Sequence, residues 1–395
     1  MRVLLVHSSA DMYGSDKSAL ELASRLVDDG QRVTVLVPED GPLCEKLRMA
    51  GVDVISSLAA MKVDRSVAKM NWGKLVQLFS SVRVCRGLAG TVPRPDVIHS
   101  NTAGVVGGVL LSRILGVPHI WTVREIVQTP RLAHTLIRLF LRFGSDTITF
   151  NSRATAEFWS SDKKIQSKSR VISNAVAPID SSNITADQVR KKYERLKNDE
   201  AEWRIGIAGR VNEWKGHRFL LQAIGALEAD YARRLRIYIA GDTVPGAEDV
   251  LLQLESDVVA LDLVAQVEFL GFVQDIGDFY RSMDMTVVPS ILAEPYGRVA
   301  AESIACGTPV IAAAHGGLVE VVEPGFNGYL CEPGNVLQWS ATMQACINDP
   351  AQVEMMAKNC LTEASSIERM VEQYLQTYKD SVSSCSRREV GKHDA

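Results

Sequence analysis

The sequence contains no C-x-x-C pair, no D-x-D, no G-x-G-x-x-G and no stretch near the ~20 apolar residues of a membrane-spanning helix. Each absence removes a class of protein. Its seven cysteines (Cys44, Cys85, Cys306, Cys331, Cys346, Cys360 and Cys385) are scattered and odd in number. That argues against a disulfide framework or a cysteine zinc site, and for free thiols in a reducing compartment. The missing glycine fingerprint disfavours a nicotinamide dehydrogenase. The glycine-flanked loop GRVNEWKG (209–216) lacks the Lys-Ser/Thr pair of a P-loop. The first apolar run stops at His7, too soon for the core of a signal peptide. The expectation is a cytoplasmic protein with at most peripheral contact at the inner face of a membrane. With 43 Lys and Arg against 47 Asp and Glu the net charge is −4, which gives no overall pull toward nucleic acid; any basic surface is local.

What is present is a rhythm. Short β-branched runs at 2–7, 32–37, 96–99, 118–123 and 146–150 alternate with longer helical patterns, the first over 16–29 and closed by Gly30. Strand, helix, strand in this order implies parallel pairing with right-handed crossovers. The pattern pauses in a polar stretch near 180 and restarts with strands near 203–208, 235–240, 266–270, 285–288 and 309–312. A chain of 395 residues is also too long for one ordinary core. The predicted organisation is α/β. Residues 1–180 form a Rossmann-like domain, 181–200 a linker with a surface helix, and 201–365 a second Rossmann-like domain. Residues 383–395 read as a polar, frayed tail.

Open α/β sheets bind ligands beyond the carboxyl ends of their strands, so the loops after strands carry the chemistry. In SILAEPYGRVAAE (290–302), Glu294 sits at a strand-to-helix loop and Glu302 about two helical turns later. Two such carboxylates are either solvated helix residues or bidentate acceptors for vicinal sugar hydroxyls. The next strand ends at Gly316 and Gly317, which would let backbone N–H groups approach an anion where a helix starts; Glu320 would complement that helix's dipole. In GRVNEWKG, Arg210 and Lys215 either form a solvated basic loop or hold the charges of a diphosphate. The loop HSSADMYG ends at Gly14, which fits an ordinary strand-helix turn or a phosphate-facing one.

Taken together, SILAEPYGRVAAESIACGTPVIAAAHGGLVE, GRVNEWKGH, AGD (240–242), VEFLGFV (267–273) and VISNAV (171–176) resemble the retaining family-4 glycosyltransferases, the glycosyl transferases group 1, of the GT-B fold. The resemblance runs in order along nearly the whole chain and is strongest in the C-terminal half. It implies two facing Rossmann-like domains with a donor and acceptor cleft between them, and an N-terminal domain that receives the C-terminal helix after about 365. It implies that Arg210 and Lys215 hold the donor diphosphate. Glu294 would contact the donor sugar, and Glu302 the ribose. Gly271, Phe272 and Val273 would lie along the base, and the backbone of Gly317, Leu318 and Val319 would reach the phosphates. Gly14 would belong to the N-terminal loop that approaches donor and acceptor.

The implied activity is transfer of a sugar from a nucleotide-diphosphate sugar to an acceptor hydroxyl, without metal or other cofactor. The implied acceptor is a glycan or lipid-linked glycan of a bacterial surface-polysaccharide pathway. The alternatives are a nucleotide-sugar epimerase and a non-catalytic nucleotide-sugar-binding protein of the same fold. One position departs from the family: many relatives carry a His after the fifth strand, where WTVREI places Arg124 and Glu125. Arg124 can bind phosphate or an oxyanion but cannot act as a base at neutral pH. His99 and Asn101 either line the cleft or, for the histidine, form a buried hydrogen-bonded site. Residues 61–94, with seven Lys or Arg and one Asp, and residues 130–143, with Arg131, Arg138 and Arg142, read as basic amphipathic helices. Such helices either rest on anionic lipid or serve as ordinary crossovers.

Overall fold

The computed structural model describes residues 1–60, 72–127, 131–176, 185–198, 200–243, 246–362 and 367–393. The first part of the basic segment, 61–71, therefore lies outside the described residues, as do Pro130 and residues 181–184 of the predicted linker. The chain forms two compact units, one of Met1–Ala175 with Ser366–Ala395, the other of Val176–Ser365.

Unit 1 holds a seven-stranded sheet. Its strands are β1 (Arg2–Val6), β2 (Arg32–Val37), β3 (Asp53–Ser56), β4 (Val97–Asn101), β5 (His119–Val123), β6 (Thr147–Phe150) and β7 (Ser169–Val171), in the order β3-β2-β1-β4-β5-β6-β7. Every neighbouring pair is parallel. β4 and β5 are buried at all five positions, as expected of central strands covered by helices on both faces. Leu4, Val6, Leu36 and Ile98 pack in one apolar cluster, and Trp121, Val123, Ile148 and Phe150 in another.

Unit 2 repeats the plan with six strands: β8 (Trp203–Ala208), β9 (Leu235–Ala240), β10 (Val267–Gly271), β11 (Met285–Val288), β12 (Val310–Ala313) and β13 (Gly328–Cys331), in the order β10-β9-β8-β11-β12-β13. Its core centres on fully buried Tyr193, Trp203 and Trp339. In both units the order reverses beside the first strand, between β1 and β4 and between β8 and β11. Doubly wound sheets place ligands at that switch point.

Five elements differ from the sequence expectation. β3, β7 and β13 are strands of four, three and four residues at sheet edges. They are too short, and covered on too few sides, to give a buried branched run. The surface helix of the predicted linker, Ala186–Glu194, carries buried Val189 and Tyr193 into the core of unit 2, and the Tyr193 hydroxyl donates to the Asp284 carbonyl at 2.6 Å. The tail expected to fray is helical as far as His393, within the helix Ile367–His393. No Gly or Pro interrupts residues 367–390, so the helix has no reason to stop sooner. It packs on β4 and β5 of unit 1, where the Tyr378 hydroxyl lies 2.8 Å from His99 Nδ1 and the Tyr374 hydroxyl 3.2 Å from Thr122 Oγ1.

Candidate active site

The loop after β8 is shaped by glycine. Gly216 has φ +79°, and a side chain there would run into the Pro289 carbonyl. Only glycine lets the loop pass so close to the end of β11. Asn212 Oδ1 accepts from the Lys215 backbone N–H at 3.0 Å and closes a single turn over Glu213–Lys215. That turn aims Lys215 inward, its Nζ 4.5 Å from the centre of the Trp214 ring and 2.7 Å from Glu294 Oε1. Ser290 Oγ donates to the same carboxylate oxygen at 2.6 Å.

Glu294 is 5% exposed. Burial alone would raise its carboxyl pKa, but the Lys215 charge and hydrogen bond, helped by Ser290 and His315, outweigh burial and hold it below the ordinary value. The result is an ionised, oriented carboxylate beside an ammonium at the switch point of unit 2. His315 Nε2 lies 2.8 Å from the Ser290 carbonyl and ties the loop after β12 to the loop after β11.

Glu302 sits in the helix Arg298–Ala305 and is also nearly buried. Its Oε1 accepts from Arg298 Nε at 2.7 Å and its Oε2 from the Tyr280 hydroxyl at 3.1 Å. A carboxylate has about four lone-pair sites, so two protein donors fix its rotamer and leave capacity for hydroxyl donors. The glycine pair after β12 behaves otherwise than expected. The helix it opens, Leu318–Val321, is a single turn, and the Gly317 N–H donates to the Glu294 carbonyl at 2.7 Å. Gly317 thus braces the Glu294 loop, and its N–H is already engaged. The Leu318 side chain is fully buried against Gly297, which leaves its backbone as the part that can face a ligand, while Val319 is exposed.

Unit 1 builds a second polar cluster at its own switch point. His7, just past β1, is fully buried, with Nε2 2.8 Å from Asp16 Oδ1 and Nδ1 3.1 Å from the Asn101 carbonyl. Asp16 also accepts from Ser9 Oγ at 2.5 Å and from the Tyr13 N–H at 2.9 Å, the latter as part of a capping box for the helix Gly14–Asp28. Burial pushes the Asp16 carboxyl up, but His7, Ser9 and Tyr13 together keep it below its usual value. Arg124, just past β5, donates from Nε to Asn101 Oδ1 at 2.7 Å and from Nη1 to Asn174 Oδ1 at 2.8 Å. Glu125 accepts from the N–H groups of Ala103 and Arg124, yet burial outweighs them and its pKa is raised.

Two family models match the chain: one described as Glycosyltransferase Family 4, over 13–178, and one described as Glycosyl transferases group 1, over 188–361. Between them they cover both units. The chain belongs to the family-4 glycosyltransferases.

A solved structure of Anabaena HepE in complex with UDP-glucose matches with a TM-score of 0.78 at 22% identity, covering 96% of this chain and 100% of that one, which shows the GT-B fold. The D-inositol 3-phosphate glycosyltransferase 1 of Catenulispora acidiphila is 33% identical over 203 residues, covering 47% of this chain and 48% of that protein. The 2-deoxystreptamine glucosyltransferase of Streptomyces kanamyceticus is 28% identical over 263 residues, covering 63% and 66%. The chain spans about half the length of the first of these curated relatives.

In this chain, Lys215, Glu294 and Gly317 are brought together, with exposed Arg210 on the same loop as Lys215. Gly271 takes φ +62° at the end of β10 and presents Phe272, 78% exposed, with Val273 partly buried behind it. Gly14 is exposed at the start of its helix. Arg124, Glu125 and Asn101 gather at the carboxyl ends of β4 and β5, but His99 does not join them. It is fully buried, 2.6 Å from Thr122 Oγ1 and 2.8 Å from the Tyr378 hydroxyl, and burial drives its pKa well below 6.5. The buried reading is therefore the one realised: β4 turns His99 toward the helix Ile367–His393, whose tyrosines supply both burial and a partner. Sequence reasoning missed His7, Asp16, Asn174, Tyr280 and Arg298. His7 at a strand end and Asp16 three residues into a helix were visible as types, but nothing in the sequence said that they meet.

Proposed function

We propose that this family-4 glycosyltransferase takes a sugar from a nucleoside-diphosphate sugar held by unit 2 and transfers it, with retention at the anomeric carbon, to an acceptor hydroxyl. The observation that carries the reading is the Lys215–Glu294 pair at the switch point of unit 2: a 2.7 Å contact between an ammonium and an ionised, nearly buried carboxylate. Lys215 and Arg210 would hold the diphosphate and neutralise the charge that grows on it as the anomeric C–O bond breaks. Glu294 would orient the sugar hydroxyls, Glu302 the ribose, and Phe272 would lie along the base. The new C–O bond would form on the face the diphosphate leaves, and the acceptor proton would pass to a departing phosphate oxygen. These charges are supplied by side chains, without a metal or cofactor. The structure of HepE with UDP-glucose makes a UDP-sugar the first donor to test, and the relatives make a cyclitol such as an inositol phosphate the first acceptor; a glycan of surface-polysaccharide or lipid-linked type, the acceptor that the sequence resemblance implies, is the next.

The deciding experiment is a thermal-shift series with UDP, GDP, ADP, dTDP and CMP on wild type and Glu302→Ala. A nucleotide at 100 times its Kd adds about 2.7 kcal/mol of stability. One nucleotide should stabilise the wild type and lose most of that effect in the variant. No shift with any of the five, together with no turnover of labelled sugar nucleotides, would refute the donor assignment.

Peripheral membrane contact through unit 1 is part of the same proposal. The helix Arg131–Gly144 exposes Leu132, Leu139 and Phe143 on one side, at 45%, 51% and 55%, beside Arg138 and Arg142, which pair with Asp162 at 3.4 and 3.5 Å. No helix among the described residues is long and apolar enough to cross a membrane. Sedimentation with anionic vesicles should show binding that weakens with salt; absence of binding at low salt removes the membrane from the proposal.

A further inference from the structure

At the other edge of the unit 2 sheet lies a cavity of about 620 Å³, within the range of small-molecule sites. It opens at the amino ends of β8, β11 and β12, lined by Lys192, Arg195, Arg204, Arg281, Asp284 and Gly307 among others. The Glu294 loop follows the carboxyl end of β11, so the length of that four-residue strand, roughly 13 Å, separates the two edges. A ligand in one is out of reach of the other.

The charges in this cavity are unevenly matched. Arg195 Nη2 holds both oxygens of fully buried Asp284 at 2.5 Å, and the Arg204 backbone N–H adds a third bond at 2.8 Å. Arg281 pairs with Asp278 at 2.5 Å and lies 3.9 Å from Asp275. Lys192 and the Arg204 guanidinium have no carboxylate within 4 Å among the described residues. Among the described residues the Lys192 ammonium finds only the Thr308 hydroxyl, at 3.5 Å, and the face of Tyr193, at 5.4 Å. Two of the four cations thus line the cavity without an ion pair among the described residues, while Arg195 and Arg281 are held by Asp284, Asp278 and Asp275, which line it too.

We infer that this cavity is a second anion site of the nucleotide-binding unit, taking a small phosphate-bearing molecule between Lys192 and Arg204. The fork of Arg204 suits two phosphate oxygens, and Lys192 acts as a compact charge opposite it. Burial lowers the Lys192 pKa to about 8, against the pull of Asp284; an anion seated beside the ammonium would reverse that cost. The inference does not depend on which sugar nucleotide, if any, occupies the carboxyl edge.

The test uses the full chain carrying Arg210→Ala and Lys215→Ala, so that diphosphate binding at the carboxyl edge is disabled. Inorganic pyrophosphate is titrated by calorimetry, and amide exchange is followed with and without it. Binding should persist in this background and weaken at least tenfold on adding Lys192→Met or Arg204→Ser, with protection gathered at 188–195 and 281–284. Arg204 is exposed, so its variant remains informative if Lys192→Met does not fold. No binding, binding indifferent to both substitutions, or protection confined to 209–217 would each overturn the site.

Discussion

The two units share a strand plan but differ in how they charge their switch points. In unit 2, Lys215 and Glu294 come from adjacent strand-end loops and form an ion pair backed by one hydroxyl. In unit 1, His7, Asp16, Asn101, Arg124 and Asn174 come from five places along the chain and hold one another. Arg124 spends two of its nitrogens on side-chain amides, and the Asp16 carboxylate is met by a histidine, a serine and a backbone N–H. The contrast is between a compact ion pair from two loops and a lattice whose members hold one another, with the buried Arg124 Nη2 left as its one nitrogen without a hydrogen bond among the described residues. A shared strand order therefore does not dictate identical use; the residues placed at the strand ends do.

The sharpest way to break this contrast is Lys215→Met, which keeps the aliphatic stem and removes the charge. Turnover at saturating donor should fall about 100-fold, the usual cost of one charge-stabilising donor. A turnover within threefold of wild type would mean that the pair is structural, like the unit 1 cluster. Next in size is Asp16→Asn, which should lower stability by about 2 kcal/mol, since a buried hydrogen bond to a charged group is worth about 1.5–3 kcal/mol. Turnover measured well below the melting temperature should hold within threefold. Loss of turnover at unchanged melting temperature would place Asp16 in the chemistry and erase the distinction.

A pH series compares the units directly. His119 in unit 1 and His217 in unit 2 are each brought down to about 4, mainly by burial. Between about pH 6.5 and 4 the unfolded chain binds protons that these folded histidines refuse, so stability must fall as pH falls, by up to about 1.4 kcal/mol per pH unit for each. Asp16 and Glu294, both held below their ordinary values, extend the fall below about pH 4. His119→Asn and His217→Asn should each flatten the melting-temperature slope in the upper window; a slope unchanged by either would assign it to other groups. The smallest effect is Tyr280→Phe, which removes one donor from Glu302. Nucleotide affinity should weaken about fivefold, or about 1 kcal/mol, by calorimetry.

Much of unit 2 was legible because its chemistry is local in sequence. Glu294 and Glu302 fall in one thirteen-residue run, and Arg210 and Lys215 in one glycine-bounded loop. Periodicity likewise revealed the central strands, whose burial on both faces demands unbroken apolar runs. The edge strands β3, β7 and β13 escaped because they lack that demand. The position of Gly317 was legible, but its partner was not: only the fold showed its N–H turned to the Glu294 carbonyl.

The sequence by itself determined the α/β rhythm, the family and the loops of unit 2 that carry charge, since hydrophobic period and short motifs are properties of neighbouring residues. The tertiary structure decided what lies far apart in the chain. It set His7 against Asp16 and Asn101, sent His99 under Tyr374 and Tyr378 of the last helix, and left Lys192 and the Arg204 guanidinium lining a cavity with no carboxylate within 4 Å of either among the described residues. Hydrogen bonds and ion pairs act over about 3–4 Å in space, and no pattern read along a chain measures that distance.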